Sequence, residues 1–254
     1  MEAGGNDVIA RIIHQIWDSK EIPERYRGYQ QSWLTYHPDW EYRLWTHEEC
    51  HEFVRSFYPD LVNMYEAFPY RIQRIDLARV LFLHRLGGLY VDLDFECMKS
   101  LEPLFEGHRV VLGREQGGMG KMLRGEDFVL NALMASSPGH PFWELLLKKT
   151  IAANRPKGFF EIKEFYVVRT SGAILLDEAV VDYQRTHDDL KVYPCEMFYP
   201  VDHLERSAEA RQRKAKELES YAIHHYDGNW VSPGMKLVTK FRYAMSRLRR
   251  RSRS

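Results

Sequence analysis

The clearest chemical signal in the sequence is a pair of aspartates one residue apart, Asp92 and Asp94. They follow a short apolar run, and an extended strand would turn both carboxylates to one face together with Tyr90. Carboxylate oxygens are the ligands that Mg²⁺ and Mn²⁺ prefer, and these ions also bind phosphate oxygens. The pair therefore predicts a cation site that holds a diphosphate, although the spacing alone is a weak motif.

Residues 70–99 supply the elements that position this pair. Apolar residues at helical spacing predict a helix that has Pro69 in its first turn and ends at Gly87 and Gly88. A strand over residues 89–94 is predicted to follow. The apolar face expected for the helix consists of Ile72, Ile75, Phe82, Leu83 and Leu86.

Inside this predicted helix, Asp76 and Arg79 are three residues apart and share one face. A local ion pair would explain that spacing as well as a ligand site would. We favour a functional role, because an arginine fork suits phosphate and an aspartate accepts hydrogen bonds from hydroxyls.

Three stretches, in this order, resemble the DXD-motif sugar-binding glycosyltransferases, which are family 32-like. This family includes the yeast Golgi initiating α-1,6-mannosyltransferase, α-1,4-galactosyl- and N-acetylglucosaminyltransferases and, more distantly, the glucosylating clostridial toxins. The matching stretches are IIHQIW at residues 12–17, RIDLAR with LGGLYVDLD within residues 74–94, and HHYDGNW at residues 224–230. They span most of the chain, which makes the resemblance specific.

The resemblance implies an α/β fold, a GT-A-like single domain with a Rossmann-like, mixed but mainly parallel sheet flanked by helices. The alternation of predicted strands and helices from residue 8 to the helix that follows Thr46 agrees, with Thr46 and Glu49 forming a capping box. Ligands of such sheets bind beyond the carboxyl ends of strands, where Asp92 and Asp94 lie. Further along, the pattern predicts strands at 109–114, 191–194 and 221–225, and helices at 126–134, 142–153, 173–183 and 203–220.

By the resemblance, several residues contact a nucleotide-sugar donor. Trp17 packs against the nucleobase, although composition alone would place it in the core. Asp76 contacts sugar hydroxyls, and Arg79 contacts sugar or phosphate. Asn131 either faces the donor or lies on the surface of a helix without contacting it. Tyr90 is a further expected contact to the donor.

The resemblance also assigns the metal and phosphate contacts. Asp94 ligates Mn²⁺ or Mg²⁺ directly, and Asp92 binds ribose or sugar hydroxyls with a water-mediated metal contact. Since adjacent strand residues point opposite ways, at most one of two neighbouring histidines can face the metal, and His225 is our choice. Trp230 would donate its indole N–H to a phosphate oxygen. The catalytic set is then Asp76, Arg79, Asp92 and Asp94.

The predicted function is a metal-dependent, retaining hexosyl transfer from a nucleotide-diphosphate sugar to a glycan or glycolipid hydroxyl, which forms an α-linkage. A UDP-hexose is favoured as the donor, with GDP-mannose next. A phosphohydrolase or nucleotidyltransferase could use the same carboxylates, and a catalytically inactive nucleotide-sugar-binding protein is the third alternative. The intact aspartates and Arg79 argue against inactivity.

The charge distribution divides the chain into two predicted domains, the transferase domain at 1–234 and a basic amphipathic tail at 235–254. The net charge is zero, but the tail carries eight Lys or Arg and no acid, which leaves 28 basic against 36 acidic residues elsewhere. Basic amphipathic segments often bind anionic membrane surfaces, so peripheral membrane contact is expected of the tail. A helix packed on the body with a disordered Arg/Ser end, and an RNA-binding tail, are the alternatives. The acidic body makes nucleic acid an unexpected partner.

Three scattered cysteines, Cys50, Cys97 and Cys195, indicate a reducing compartment rather than a disulfide scaffold. The N-terminal sequence has no secretory pattern, and no apolar run is long enough to span a bilayer. We therefore expect a cytoplasmic location, with peripheral attachment to a membrane.

Overall fold

The computed structural model describes residues 8–115, 127–202, 205, 207–228, 231–235 and 237. The glycine-rich stretch at 117–120 and nearly all of the predicted tail lie outside the described residues. The domain boundary at residue 235 therefore stays a prediction.

The described residues form a central six-stranded sheet and a small two-stranded one. In spatial order, the central strands are β2 (Glu41–Trp45), β1 (Ile12–Ile16), β3 (Gly88–Val91), β6 (Phe128–Ser136), β5 (Val110–Glu115) and β7 (Leu190–Tyr193). Strand β6 is antiparallel to both of its neighbours, and the other five run in one direction. The small sheet pairs β4 (Phe95–Cys97) with β8 (Ala222–His224) in antiparallel fashion. The mixed, mainly parallel α/β sheet predicted from the sequence is confirmed.

Helices cover both faces of the central sheet. They are α1 (Glu24–Tyr36), α2 (His47–Phe57), α3 (Val62–Ala67), α4 (Arg71–Leu86), α5 (Pro141–Ala153), α6 (Lys163–Thr170), α7 (Ala173–Tyr183), α8 (Cys195–Phe198) and α9 (Ala208–Glu217). Short 3₁₀ turns occupy Pro59–Leu61 and Glu102–Leu104. The predicted capping box of α2 is present, with Thr46 and Glu49 each accepting the other's backbone N–H. Within the described part of the chain, no helix combines the length and apolarity needed to cross a bilayer.

Strand β3 is buried on both faces and divides the core in two. Leu89 and Val91 pack into the cluster that contains Trp33 of α1, whereas Tyr90 packs into the cluster that contains Leu81 of α4. A strand covered on both faces is expected at the centre of an α/β sheet. This position fixes the strand end from which the two aspartates project.

Helix α4 differs from its prediction at its start and on its buried face. It begins at Arg71, so Pro69 precedes the helix instead of lying in its first turn. The apolar face is confirmed only in part, because the helix buries Asp76 and Arg79 along with its apolar residues. Of the five apolar residues predicted to face the core, Phe82 and Leu83 are fully buried, and Ile72, Ile75 and Leu86 are partly exposed.

The helix predicted over residues 126–134 is wrong, because this segment lies largely in strand β6. Alanine, leucine and methionine favour a helix by propensity. Pairing to β3 and β5 overrides that preference, with Ala135 opposite Leu89 on one side and Val111 on the other. The sheet thereby satisfies the backbone groups of a buried segment on both edges.

Two glycines allow α4 to end directly against β3. Gly87 and Gly88 have φ values of +67° and +93°. A Cβ on Gly88 would lie 2.5 Å from the carbonyl oxygen of Ile12, and one on Gly87 would lie 2.7 Å from the Pro138 nitrogen. Only glycine combines this backbone conformation with so close an approach.

We predict that Gly88→Ala lowers the free energy of unfolding by about 2–4 kcal/mol, because it adds a positive-φ strain and a backbone clash. The matched control is Gly28→Ala in α1, where a Cβ would meet nothing within 4 Å. That change should stabilise by about 0.5–1 kcal/mol through helix propensity. Urea denaturation of both variants measures the difference, and equal effects would contradict the assignment.

Candidate active site

The two aspartates lie just past the end of β3, in the tight turn that leads into β4. The Asp92 N–H donates to the Ala132 carbonyl of β6 at 2.9 Å, and the Phe95 N–H closes the turn on the Asp92 carbonyl at 3.1 Å. The strand predicted over residues 89–94 therefore ends earlier, at Val91, and the pair lies just outside it. It nevertheless occupies the carboxyl end of a central strand, where α/β sheets bind ligands.

A histidine from β8 completes a cluster with the two aspartates. Asp92, Asp94 and His224 each offer one ligand atom, and these atoms all lie within 4.8 Å of one another. The His224 Nε2 is 3.3 Å from the Asp94 Oδ1, and its ring stacks on Phe95 at 4.6 Å. The Asp227 N–H donates to the other oxygen of Asp94 at 2.9 Å. Across the described ranges, this is the one group of three His, Cys, Asp or Glu side chains found at such spacing.

The placement predicted for His225 is wrong, because the two adjacent histidines turn their rings to opposite sides and His224 faces the aspartates. The His225 Nε2 lies 3.0 Å from a Glu96 carboxylate oxygen, and its ring stacks on Tyr29 at 4.2 Å. Arg211 of α9 donates to both the ring and the backbone carbonyl of His225. The helix predicted over residues 203–220 was expected from its mixed charges to face solvent, but α9 buries Arg211 in this contact.

Arg79 lies beneath the aspartates and is only 2% exposed. Its Nη1 donates to the Asn131 carbonyl at 2.7 Å and lies 3.3 Å from the Asp92 Oδ1. Its Nη2 lies 3.4 Å from the Asp76 Oδ1, and the guanidinium stands 4.6 Å from the centre of the Tyr90 ring. Burial lowers the pKa of Arg79, but the nearby Asp92, Tyr90 and Asp76 outweigh this and raise it. The guanidinium is therefore a permanent buried cation that joins two carboxylates.

Asp76 links three elements of the fold and is 3% exposed. One carboxylate oxygen accepts from the Asn131 side chain at 2.9 Å, and the other accepts from the Ser171 hydroxyl at 2.9 Å. Burial raises the pKa of Asp76 to about 6, against the opposing effect of Arg79. Donor contacts by Asp76, Arg79 and Asn131 remain predictions, while their mutual contacts are structural facts.

Ser171 is the residue that the sequence did not reveal as part of this network. It lies 95 positions from Asp76. A serine just before a helix is commonly a capping residue, so its type alone does not point to a distant carboxylate.

Tyr90 is buried, and its hydroxyl donates to the Asp92 Oδ1 at 2.7 Å. Its predicted donor contact stays a prediction, as do those of Asp76 and Arg79. In the structure, Tyr90 and Arg79 hold the same oxygen of Asp92 from two directions and fix its orientation.

The two aspartates differ in acidity because their neighbours differ. Burial and the adjacent Asp94 charge raise the pKa of Asp92, although Arg79 opposes the shift. Burial also acts to raise the pKa of Asp94, but His224 and the Asp227 N–H outweigh it and lower that pKa. Burial acts to lower the pKa of His224, and the attraction of Asp94 raises it overall.

Trp17 lies beside this turn, partly buried at the end of β1. Its ring meets Tyr26 edge-on at 5.4 Å, and it packs against the small cluster of Ile22, Tyr26 and Leu93, the last of which lies between the two aspartates. This location is compatible with a nucleobase contact, which remains a prediction. Trp230 lies outside the described residues, so its predicted phosphate contact has no structural account.

Comparison with known proteins supports the resemblance seen in the sequence. The family described as "Glycosyltransferase sugar-binding region containing DXD motif" matches residues 23–111, which include α4, β3 and both aspartates. Residues 23–111 are therefore similar to the sugar-binding region of the DXD glycosyltransferases.

Individual relatives agree with this class. The chain is 40% identical over 134 residues to inositol phosphoceramide mannosyltransferase 3 of Schizosaccharomyces pombe, covering 53% of this chain and 35% of the relative. It is 29% identical over 110 residues to the initiation-specific α-1,6-mannosyltransferase of Candida albicans, covering 41% and 29%. These matches cover well under two thirds of each relative's own length.

The fold has a solved counterpart in the catalytic domain of α-toxin from Clostridium novyi. The two superpose with a TM-score of 0.52 over 94% of this chain and 83% of that one, at 10% sequence identity. At that identity the likeness concerns the fold alone, and it confirms the GT-A-like architecture predicted from the sequence.

The raised pKa of Asp76 predicts a specific pH dependence of stability. Because the folded state holds this proton more tightly than the unfolded chain, ionisation of Asp76 costs stability as the pH rises through the folded pKa of about 6. Relative to Asp76→Asn, the wild type should lose about 3 kcal/mol of unfolding free energy between about pH 4 and pH 6. Urea denaturation across that range measures the difference, and a constant offset between the two proteins would contradict it.

Proposed function

We propose that this chain is a metal-dependent glycosyltransferase that moves a hexose from a nucleotide-diphosphate sugar to an acceptor hydroxyl. The observation that carries the proposal is the convergence of Asp92, Asp94 and His224 at the carboxyl end of β3. The two aspartates of this cluster lie within the matched family region, which is described as containing a DXD motif. The fold, the motif and the cluster thus agree on one location.

The residues of the cluster fit a divalent cation. Two carboxylates and an imidazole offer oxygen and nitrogen donors, a set that suits Mn²⁺ and also permits Mg²⁺. Within the described residues, the buried Nδ1 of His224 has no hydrogen-bond partner, so this ring has unused ligating capacity. A cation held by Asp94, Asp92 and His224 would neutralise charge on the departing diphosphate.

The remaining residues hold this arrangement in place. Arg79 and Tyr90 fix Asp92, and the Asp227 N–H fixes Asp94, so neither carboxylate must reorganise when a donor binds. The rings of Phe95 and Tyr226 pack against the His224 ring. Trp17 is our choice for stacking on the nucleobase, because it packs at the same turn.

The names of the relatives favour mannose as the transferred sugar. Both relatives described above are mannosyltransferases, and one is named for an inositol phosphoceramide acceptor. We therefore place GDP-mannose ahead of the UDP-hexoses favoured by sequence alone, and a glycolipid or glycan hydroxyl as the acceptor. Retention of configuration and an α-linkage follow from the same resemblance.

The experiment is a donor panel of GDP-mannose, UDP-glucose, UDP-galactose and UDP-N-acetylglucosamine with Mn²⁺, Mg²⁺ or a chelator. Thermal stabilisation and slow donor hydrolysis should appear for one donor and require a divalent cation. Hydrolysis of simple phosphate esters or nucleotide transfer without any response to the sugar would favour the phosphohydrolase or nucleotidyltransferase alternative. Cation-dependent binding without turnover would favour the inactive alternative.

Asp94→Asn should reduce transfer by about 100-fold or more, because it removes a charge from the group that balances the leaving diphosphate. The neutral side chain can still accept the Asp227 N–H, so the melting temperature without donor should change little. Turnover and Mn²⁺-dependent thermal shift with the best donor provide the measurement.

The matched control is Asp39→Asn, which makes the same change at an exposed turn. It should behave as the wild type in both assays. Undiminished turnover of Asp94→Asn at trace metal would refute the assignment.

A further inference from the structure

A turn between α5 and α6 presents two phenylalanines to solvent. Phe159 and Phe160 are 90% and 92% exposed, the highest values among the large hydrophobic residues that are exposed in the described structure. Their rings contact each other edge to face, with centroids 4.9 Å apart. Two adjacent, almost fully hydrated aromatic rings are unfavourable for a protein that meets only water.

The turn that carries them is built to hold this conformation. The Glu161 N–H donates to the Gly158 carbonyl at 3.1 Å, which closes a turn with the two phenylalanines at its central positions. The Gly158 N–H returns to the Glu161 carboxylate at 3.1 Å. The guanidinium of Arg155 binds both oxygens of that carboxylate, at 2.9 and 2.6 Å. The tip is therefore an ordered projection.

The base of the turn is anchored in the fold as well. The Tyr166 hydroxyl of α6 donates to the Arg155 carbonyl at 2.7 Å, and the Arg155 guanidinium lies 5.4 Å from the centre of the same ring. These contacts tie the projecting rings to the start of a helix whose other end reaches the candidate site.

The charge around the tip is positive. Residues 155–163 contain three bases, Arg155, Lys157 and Lys163, and one acid, Glu161. The acid is neutralised by Arg155. Lys157 donates to the Gly158 carbonyl at the turn itself, and Lys163 lies over the Tyr70 ring at 5.3 Å. An apolar tip flanked by basic side chains is complementary to a bilayer with an anionic surface.

The position of the tip relates it to the candidate site. Helix α6 begins at Lys163, just after the turn, and ends at Thr170, next to the Ser171 that donates to Asp76. An eight-residue helix is about 12 Å long. A membrane contacted by the tip would thus lie within about one short helix length of the residues around Asp76.

Contact with a second copy of the chain is the competing use of such a tip. Two phenylalanine side chains bury about 300–500 Å² together. That is well below the roughly 800 Å² per partner of a stable protein interface. A bilayer needs no complementary protein surface, since the rings enter the interfacial region while the lysines meet the headgroups.

We propose that the turn at residues 158–161 is a membrane-contact element, in which Phe159 and Phe160 insert into the interface of an anionic bilayer. This proposal goes beyond the proposed transferase activity and does not depend on it. It also differs from the contact predicted for the tail at 235–254, because it rests on described residues.

The test is co-sedimentation of the full-length protein with phosphatidylcholine vesicles that contain 30% phosphatidylserine, at about 0.1 M salt and without donor or metal. We expect wild type to bind and Phe159→Ser/Phe160→Ser to bind about tenfold or more weakly, since both inserted apolar groups are lost. The matched control, Tyr36→Ser, removes a partly exposed aromatic ring from α1, on the other side of the sheet, and should leave binding unchanged. Lys157→Glu should weaken binding to these vesicles more than to pure phosphatidylcholine vesicles.

Undiminished binding of the double serine variant, or no binding by the wild type at low salt, would overturn the proposal. Sedimentation velocity without lipid measures whether the tip instead joins two copies of the chain. A wild-type dimer that the double serine variant converts to a monomer would assign the tip to contact between copies and overturn membrane insertion. Asp94→Asn should sediment with vesicles as the wild type does. A failure of the transferase proposal is therefore distinguishable from a failure of the membrane-contact proposal.

Discussion

The buried cation of Arg79 is the constraint on which the site depends. A guanidinium in a low-dielectric interior requires compensating carboxylates, and removing one partner of such a group costs about 3–5 kcal/mol. Here Asp76 comes from the same helix and Asp92 from the turn after β3. The backbone of β6 supplies a further acceptor through Asn131. Satisfying one charge thereby sets the position of the turn that carries Asp92 and Asp94 against α4 and β6.

Much of the fold follows from the sequence because local signals and tertiary packing agree. The capping box of α2, the glycine stop of α4 and the alternation in β3 all act through local geometry, and each appears in the structure. Strand β6 is the largest of the departures described above, since its residue types favour a helix. Its conformation is decided by β3 and β5, which approach from distant parts of the chain. Propensity does not contain that information.

The sequence predicts where the two aspartates lie in the fold better than it predicts the residues that support them. The context of Asp92 and Asp94 predicts the end of the sheet at which they lie, but the structure places them in a turn and not in the predicted strand. Of the two adjacent histidines, His225 is the one expected from the sequence to face the metal, whereas His224 is the one that faces the aspartates. Tyr90 was placed on the correct face of its strand, but only packing shows that this face is buried against Arg79. Ser171 reaches Asp76 through a contact that no local pattern encodes.

Direct Mn²⁺ binding by His224→Gln and His225→Gln tests the central claim most sharply, because the two residues are adjacent and chemically identical. Electron paramagnetic resonance of free Mn²⁺ gives the dissociation constant for each variant without requiring turnover. We expect His224→Gln to weaken binding about tenfold or more, while His225→Gln stays within about twofold of the wild type. The reverse order, or equal binding by all three proteins, would contradict a metal site formed by Asp92, Asp94 and His224.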